Sequence, residues 1–144
     1  MPYFLSLLFI LLFSLLSAKE NKFDPQRLTA TTLITDLNRP MELEVSPDGR
    51  IFFIELDGAF KVFMPETQKV IEIKKFDVAR RGEVGLIGLA LDPNFKNNNW
   101  VYLQYSPIGL TSQRTSRFTL KDNQILEGSE KILLEFHEPN GTGA

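Results

Sequence analysis

Apolar residues in this chain fall in short runs divided by turn residues, and helical spacing is hard to find after residue 18. A first set of runs covers Leu28–Leu37, Met41–Val45, Ile51–Leu56, Ala59–Met64 and Val70–Phe76. Met41, Leu43 and Val45 alternate with Glu42 and Glu44, the two-residue period of a strand. The breaks carry turn chemistry. Ser46-Pro47-Asp48-Gly49 joins two runs, Leu56-Asp57-Gly58 the next two, and Pro65-Glu66-Thr67 makes a third break. Glycine supplies positive φ at such points and aspartate bonds the nearby backbone. A second set follows in the same order: Leu86–Leu91, Trp100–Tyr105, Thr115–Leu120 and Ile132–Phe136.

The matching runs of the two sets stand about 45 to 60 residues apart. A four-strand antiparallel unit recurring at that spacing predicts consecutive blades of a β-propeller. Blades pack face to face, which accounts for Ile51-Phe52-Phe53-Ile54, apolar on both sides. The stretch from Gly82 to Ser106 predicts a hairpin with both strand faces buried: an apolar run with Gly85, Gly88 and Ala90, a turn at Asp92-Pro93-Asn94, an asparagine loop, then an aromatic run. The expectation is an all-β chain, the first two blades of a six-bladed propeller. The competing arrangement is a small β-sandwich of eight or nine strands. Two blades cannot close a ring, so a longer protein is expected, of which residues 19–144 form the N-terminal part of the propeller domain.

Residues 1–18 stand apart. Phe4 to Leu16 is apolar except for Ser6 and Ser14, too short to span a bilayer comfortably, where about 20 residues are needed. It fits the apolar centre of a cleaved signal peptide ending at Ser17-Ala18, and the alternative is an uncleaved anchor. Export to a secreted or periplasmic location is the expectation, with no membrane span beyond this segment.

The formal net charge of −2 argues against a nucleic-acid partner. Lys74, Lys75, Arg80 and Arg81 form a local basic cluster that reads as a solvated loop. There is no cysteine, which excludes disulfides, thiolate metal sites and covalent haem attachment within these residues. Asp48, Asp57 and Asp92 sit in turns and read as turn formers rather than ligands. Trp100, Tyr102 and Tyr105 lie along one strand, where core packing explains them better than a sugar-stacking platform. Asn140-Gly141-Thr142 is a glycosylation sequon, relevant only in a eukaryotic secretory host.

The pattern GE-x-GL-x-GLALDP-x-F-x-N-N-x-W-VY across Gly82–Tyr102 resembles the quinoprotein glucose/sorbosone dehydrogenase family. Leu37–Glu42, the turn Pro47-Asp48-Gly49-Arg50 before a strand ending at Glu55, Arg117-Phe118 and SEKILLEF at Ser129–Phe136 continue that family's order. The resemblance covers roughly residues 31–144. It implies a propeller that uses pyrroloquinoline quinone (PQQ) with calcium over the central channel, the ligands for both lying outside this sequence. It also implies a histidine general base opening the third blade, in a motif like Asn/Cys-His-x-Gly-Gly.

Here the matching stretch is Asn140-Gly141-Thr142-Gly143-Ala144, and Gly141 stands where that histidine is expected. Glycine has no proton-accepting side chain. His137, the chain's one histidine, is four residues earlier and reads either as a substitute base or as a solvent-facing loop residue. Glu83 matches a position where sugar-oxidising members carry a substrate-contacting glutamine. A carboxylate there accepts hydroxyl hydrogen bonds or acts as a base, and the alternative is a loop carboxylate paired with Arg80 or Arg81. The resemblance therefore implies an exported oxidoreductase of sugars or polyols, with a cytochrome as possible electron acceptor. The alternative is a non-catalytic extracellular propeller used for binding.

Overall fold

The structure is a computed structural model that describes residues 28–79 and 84–137. The chain divides into two units at Thr32–Leu33, and every described strand lies in the second. Its first sheet is a four-stranded antiparallel meander in sequence order: β1 (Pro40–Val45), β2 (Ile51–Glu55), β3 (Ala59–Met64) and β4 (Lys69–Lys75). The second runs β5 (Leu86–Leu91), β6 (Trp100–Tyr105), β7 (Ser112–Lys121) and β9 (Lys131–His137). Within it, β8 (Gln124–Ile125) pairs only with the far end of β7, as a short hairpin extension.

The two sheets repeat each other in detail. An extra residue bulges from the first strand of each, Met41 in β1 and Ile87 in β5. Another bulges from the last strand of each, Ile73 in β4 and Leu133 in β9. Bulges raise local twist, so matching positions give the two sheets the same twist and let one stack on the other. The predicted pair of four-stranded meanders is therefore present.

The core lies between the sheets. Phe52, Ile54, Phe60 and Val62 of the first meet Leu86, Leu89, Val101, Leu103, Tyr105, Phe118 and Leu120 of the second. Phe76 bridges them, its ring 5.3 Å from Tyr105 and 5.5 Å from Phe118. Polar contacts also tie the sheets together. Leu89 N donates to Glu42 Oε2 at 2.7 Å, Leu86 N to Leu56 O at 3.0 Å, and Arg50 Nη1 to Asn123 Oδ1 at 2.6 Å. The polar face of β1 thus meets β5 through a carboxylate, while Met41, Leu43 and Val45 are exposed.

Three local features depart from expectation. Leu28–Leu37 forms no strand: Leu28 and Leu33 are exposed, and Asp36 takes positive φ. The asparagine loop after Asp92 closes into one helical turn, α1 (Phe95–Asn98), ended by Asn99 in the left-handed region. Asparagine tolerates that conformation better than most side chains. Two-sided burial holds for β2, where Phe52, Phe53 and Ile54 are all buried, but β6 alternates. Val101, Leu103 and Tyr105 enter the core, while Trp100 and Tyr102 are half-buried on the opposite face. There Arg117 stacks on Trp100 at 3.8 Å, and Tyr102 donates to Asp92.

The turn aspartates serve as local acceptors. Asp48 receives the Arg50 guanidinium and, with smaller effect, Ser46 Oγ, which hold its carboxyl down at about 2. Because its folded value lies below the ordinary 3.8, Asp48 stabilises the fold above about pH 4, and that contribution fades as pH falls toward 2. Asp48 is more than half exposed, so solvent screens the effect. The Tm difference between parent and Asp48→Asn is expected to be small at neutral pH and to vanish near pH 2. A difference that grows as pH falls would contradict this pairing.

Candidate functional site

Antiparallel meanders collect their connections at two ends. One end holds the β2–β3 turn (56–58), the two feet of the β4–β5 connection (76–79 and 84–85), the β6–β7 connection (106–111) and the last residue of β9, His137. The other end holds the β1–β2 and β3–β4 turns, α1, and the Asp122-Asn123 turn. Glu83 belongs to the β4–β5 connection and lies outside the described residues, as do Arg80, Arg81 and Gly141. Both flanks of Glu83 and His137 itself are at the first end.

Backbone bonds hold the β4–β5 connection at both feet. At the first foot Val78 forms a bridge with Pro107, Ala79 N donates to Ser106 O at 2.9 Å, and Ile108 N to Asp77 O at 3.1 Å. At the second, Ser106 N donates to Gly85 O at 2.9 Å and Leu86 N to Leu56 O. The β2–β3 turn is drawn in by Phe76 N, which donates to Gly58 O at 2.9 Å. Gly58 and Gly85 permit this close approach. A Cβ on Gly58 would lie 2.2 Å from Phe76 O, and one on Gly85 2.1 Å from Leu56 O, both at positive φ. Backbone–backbone approach at that range needs glycine.

His137 sits at the far side of the β6–β7 connection. It pairs with Ser112 in the β7–β9 ladder, and its Nδ1 is 3.2 Å from Thr111 O. The ring is exposed. The structure thus puts His137 at the same end as both flanks of Glu83, with the β6–β7 connection between them. The residues that hold this end together, Val78, Ser106 and Pro107, act mostly through backbone and leave little sequence signal.

Ion pairs lie at and near this end. Buried Glu55 bonds Lys61 Nζ at 2.8 Å and receives Asn38 N at 3.0 Å, fixing the segment before β1. Lys75 bonds Asp57 at 2.6 Å. Arg114 bonds Glu135 at 3.0 Å, and Ser112 Oγ donates to the same carboxylate. The Ser112 hydroxyl, then Arg114, hold the Glu135 carboxyl below its usual range. Ser106 is buried, and its Oγ has no hydrogen-bond partner among the described residues.

Among the described residues, no three His, Cys, Asp or Glu side chains group as metal ligands. A tricarboxylate needs cations, and Lys75 and Arg114 are already engaged by carboxylates. No helix among the described residues is long and apolar enough to cross a membrane.

Comparison with known proteins agrees with this architecture. The profile of the family described as Glucose / Sorbosone dehydrogenase matches residues 37–143. Quinoprotein glucose dehydrogenase B of Acinetobacter calcoaceticus is 30% identical over 90 residues, 60% of this chain and 18% of that protein. The PQQ-bound aldose sugar dehydrogenase of Streptomyces coelicolor superposes with a TM-score of 0.66 at 22% identity, over 74% of this chain and 33% of that one. An oxidoreductase (glucose dehydrogenase) structure from Thermus thermophilus gives 0.67 at 25% identity, over 76% and 33%. The chain therefore spans about a third of the solved structures it matches, and less of the curated relative. Its two sheets are the first two blades of a β-propeller.

Proposed function

Since the chain belongs to the glucose/sorbosone dehydrogenase family, we propose that it forms the first two blades of an exported quinoprotein oxidoreductase acting on sugar or polyol hydroxyls. One observation carries this reading. The flanks of Glu83 and His137 are brought to one end of the second blade and held there by the Val78–Pro107 bridge and the two bonds of Ser106. That end is where substrate-contacting residues are expected from the family pattern. The signal segment 1–18, which lies outside the described residues, supports export to a secreted or periplasmic location.

The proposed cofactor is PQQ with calcium, held by residues outside those described. When bound it supplies the two-electron acceptor, and the protein supplies orientation and electrostatics. Glu83 is proposed to accept hydrogen bonds from substrate hydroxyls and to take a hydroxyl proton. His137 is the second candidate for that proton, within one connection of the same end. Electrons leaving the enzyme pass to an acceptor for which a cytochrome is the proposed class.

Gly141 favours one further reading, a propeller kept for binding without oxidation. The full-length protein, loaded with PQQ and calcium, separates the two through sugar-dependent dye reduction. Slow but measurable oxidation is expected, with kcat falling about 10²-fold or more in Glu83→Gln. No oxidation of any aldose or polyol, with sugar binding retained, would decide for the binding module.

A further inference from the structure

The second blade has two faces of different chemistry. Val101, Leu103, Tyr105, Phe118 and Leu120 meet the first blade through apolar contacts. Strand alternation puts Trp100, Tyr102 and Gln104 of β6, with Gln113, Thr115 and Arg117 of β7, on the opposite face. These residues are half-buried, and among the described residues no other sheet stacks on them. Part of this face is satisfied from within. Tyr102 and Asn98 donate to Asp92, and Gln104 Nε2 donates to Gln113 Oε1 at 2.7 Å. Arg117 lies 3.8 Å from the centre of the Trp100 ring, yet it makes no ion pair among the described residues. Its Nε is covered and has no hydrogen-bond partner there, which leaves the terminal amines for a group from outside the blade. Asp92 is close enough to feel the charge of Arg117, but its oxygens are taken by Tyr102 and Asn98. Lys131 stands opposite Arg117 in the β7–β9 ladder, and residues so paired share a face. It is exposed and also makes no ion pair among the described residues.

We propose that this face docks the next blade of a longer protein, and that the next blade presents a carboxylate to Arg117 and Lys131. The architecture sets the occupant. These sheets are the first two blades of a β-propeller, and the chain spans about a third of the solved structures it matches. A third blade then stacks on the second as the second stacks on the first. The charge sets the chemistry of the contact. Two neighbouring cations without ion pairs attract an anionic side chain and repel a cationic one. Stacking on the indole holds the guanidinium plane in place, so its amines meet a planar acceptor with little loss of freedom. The inference holds whether or not the protein oxidises sugar.

The test applies a water-soluble carbodiimide to the full-length protein and to its Arg117→Lys variant. This reagent joins an amine to a carboxylate only where the two are in direct contact. Mapped by mass spectrometry, the cross-links are expected to join position 117 of the variant, or Lys131 of either protein, to an Asp or Glu in the blade that follows, a stretch of roughly 40–50 residues. Lys131 carries the test in the parent should Arg117→Lys fail to fold. Replacing the captured carboxylate by its amide should lower the urea midpoint of the parent and cause no further loss in Arg117→Gln. Losses that simply add would overturn the pairing, as would the absence of any cross-link from either position. Cross-links confined to the first two blades would overturn it as well. Cross-links between light and heavy chains in an isotopically mixed sample would make a second copy the occupant and overturn the proposal.

Discussion

Gly85→Ala is expected to unfold the second blade or lower stability by more than about 4 kcal/mol, the range of severe single substitutions. Its φ of 153° is rare for residues with a side chain, and the added Cβ would sit 2.1 Å from Leu56 O. That oxygen cannot simply retreat, because it accepts Leu86 N and belongs to the β2–β3 turn. Relief would break the bond between the sheets and displace the foot of the β4–β5 connection. Gly58→Ala is expected to behave alike, since its Cβ would meet Phe76 O at 2.2 Å. Gly109→Ala is the control. It also has positive φ, 78°, but nothing lies within 4 Å of its Cβ. Only backbone strain applies there, roughly 1–2 kcal/mol. Urea midpoints should therefore rank Gly109→Ala far above the other two. Equal losses at all three would show that φ strain, and not backbone crowding, decides the outcome.

The same contrast explains what the sequence made legible. Turn chemistry at Ser46–Gly49 and Leu56–Gly58 acts within a few residues, so composition reports it directly. Strand alternation reports burial, as in Val101, Leu103 and Tyr105. Contacts made by backbone alone leave no such trace. The Val78–Pro107 bridge and the bulges at Met41, Ile73, Ile87 and Leu133 depend on register, which many side chains would satisfy. The β8 extension follows from Asp122 and Asn123 both taking positive φ, a turn that asparagine and aspartate permit without demanding. The Leu28–Leu37 run misleads because its apolar content is not matched by a partner strand. Thr29, Thr31, Thr32 and Thr35 interrupt it, and Leu28, Leu33 and Leu37 have no sheet to enter. For the candidate site, His137 was legible as a lone titratable residue near a strand end. Its place at the same end as the flanks of Glu83 was not, because that follows from the β7–β9 register.

Gly141→His is expected to raise sugar oxidation by the PQQ- and calcium-loaded full-length protein by about 10²–10⁴-fold, the usual worth of a positioned general base. The substitution fills the position where the family pattern has its histidine and the present chain has none. In the parent, Glu83 and His137 are the two residues proposed above to take the substrate proton. Glu83→Gln keeps the volume and hydrogen-bonding reach of the side chain while removing its basicity. His137→Ala removes a ring whose observed contact is Thr111 O, so its loss should leave Tm nearly unchanged. Rates of the parent, the three single variants and the double variants under saturating quinone then divide the possibilities. If Glu83 serves as the parental base, Glu83→Gln abolishes the residual rate and Gly141→His restores it even in the double variant. If His137 serves, His137→Ala does so instead. A fast parental rate, unaffected by either removal and not raised by Gly141→His, would defeat both assignments and place the base outside these two blades.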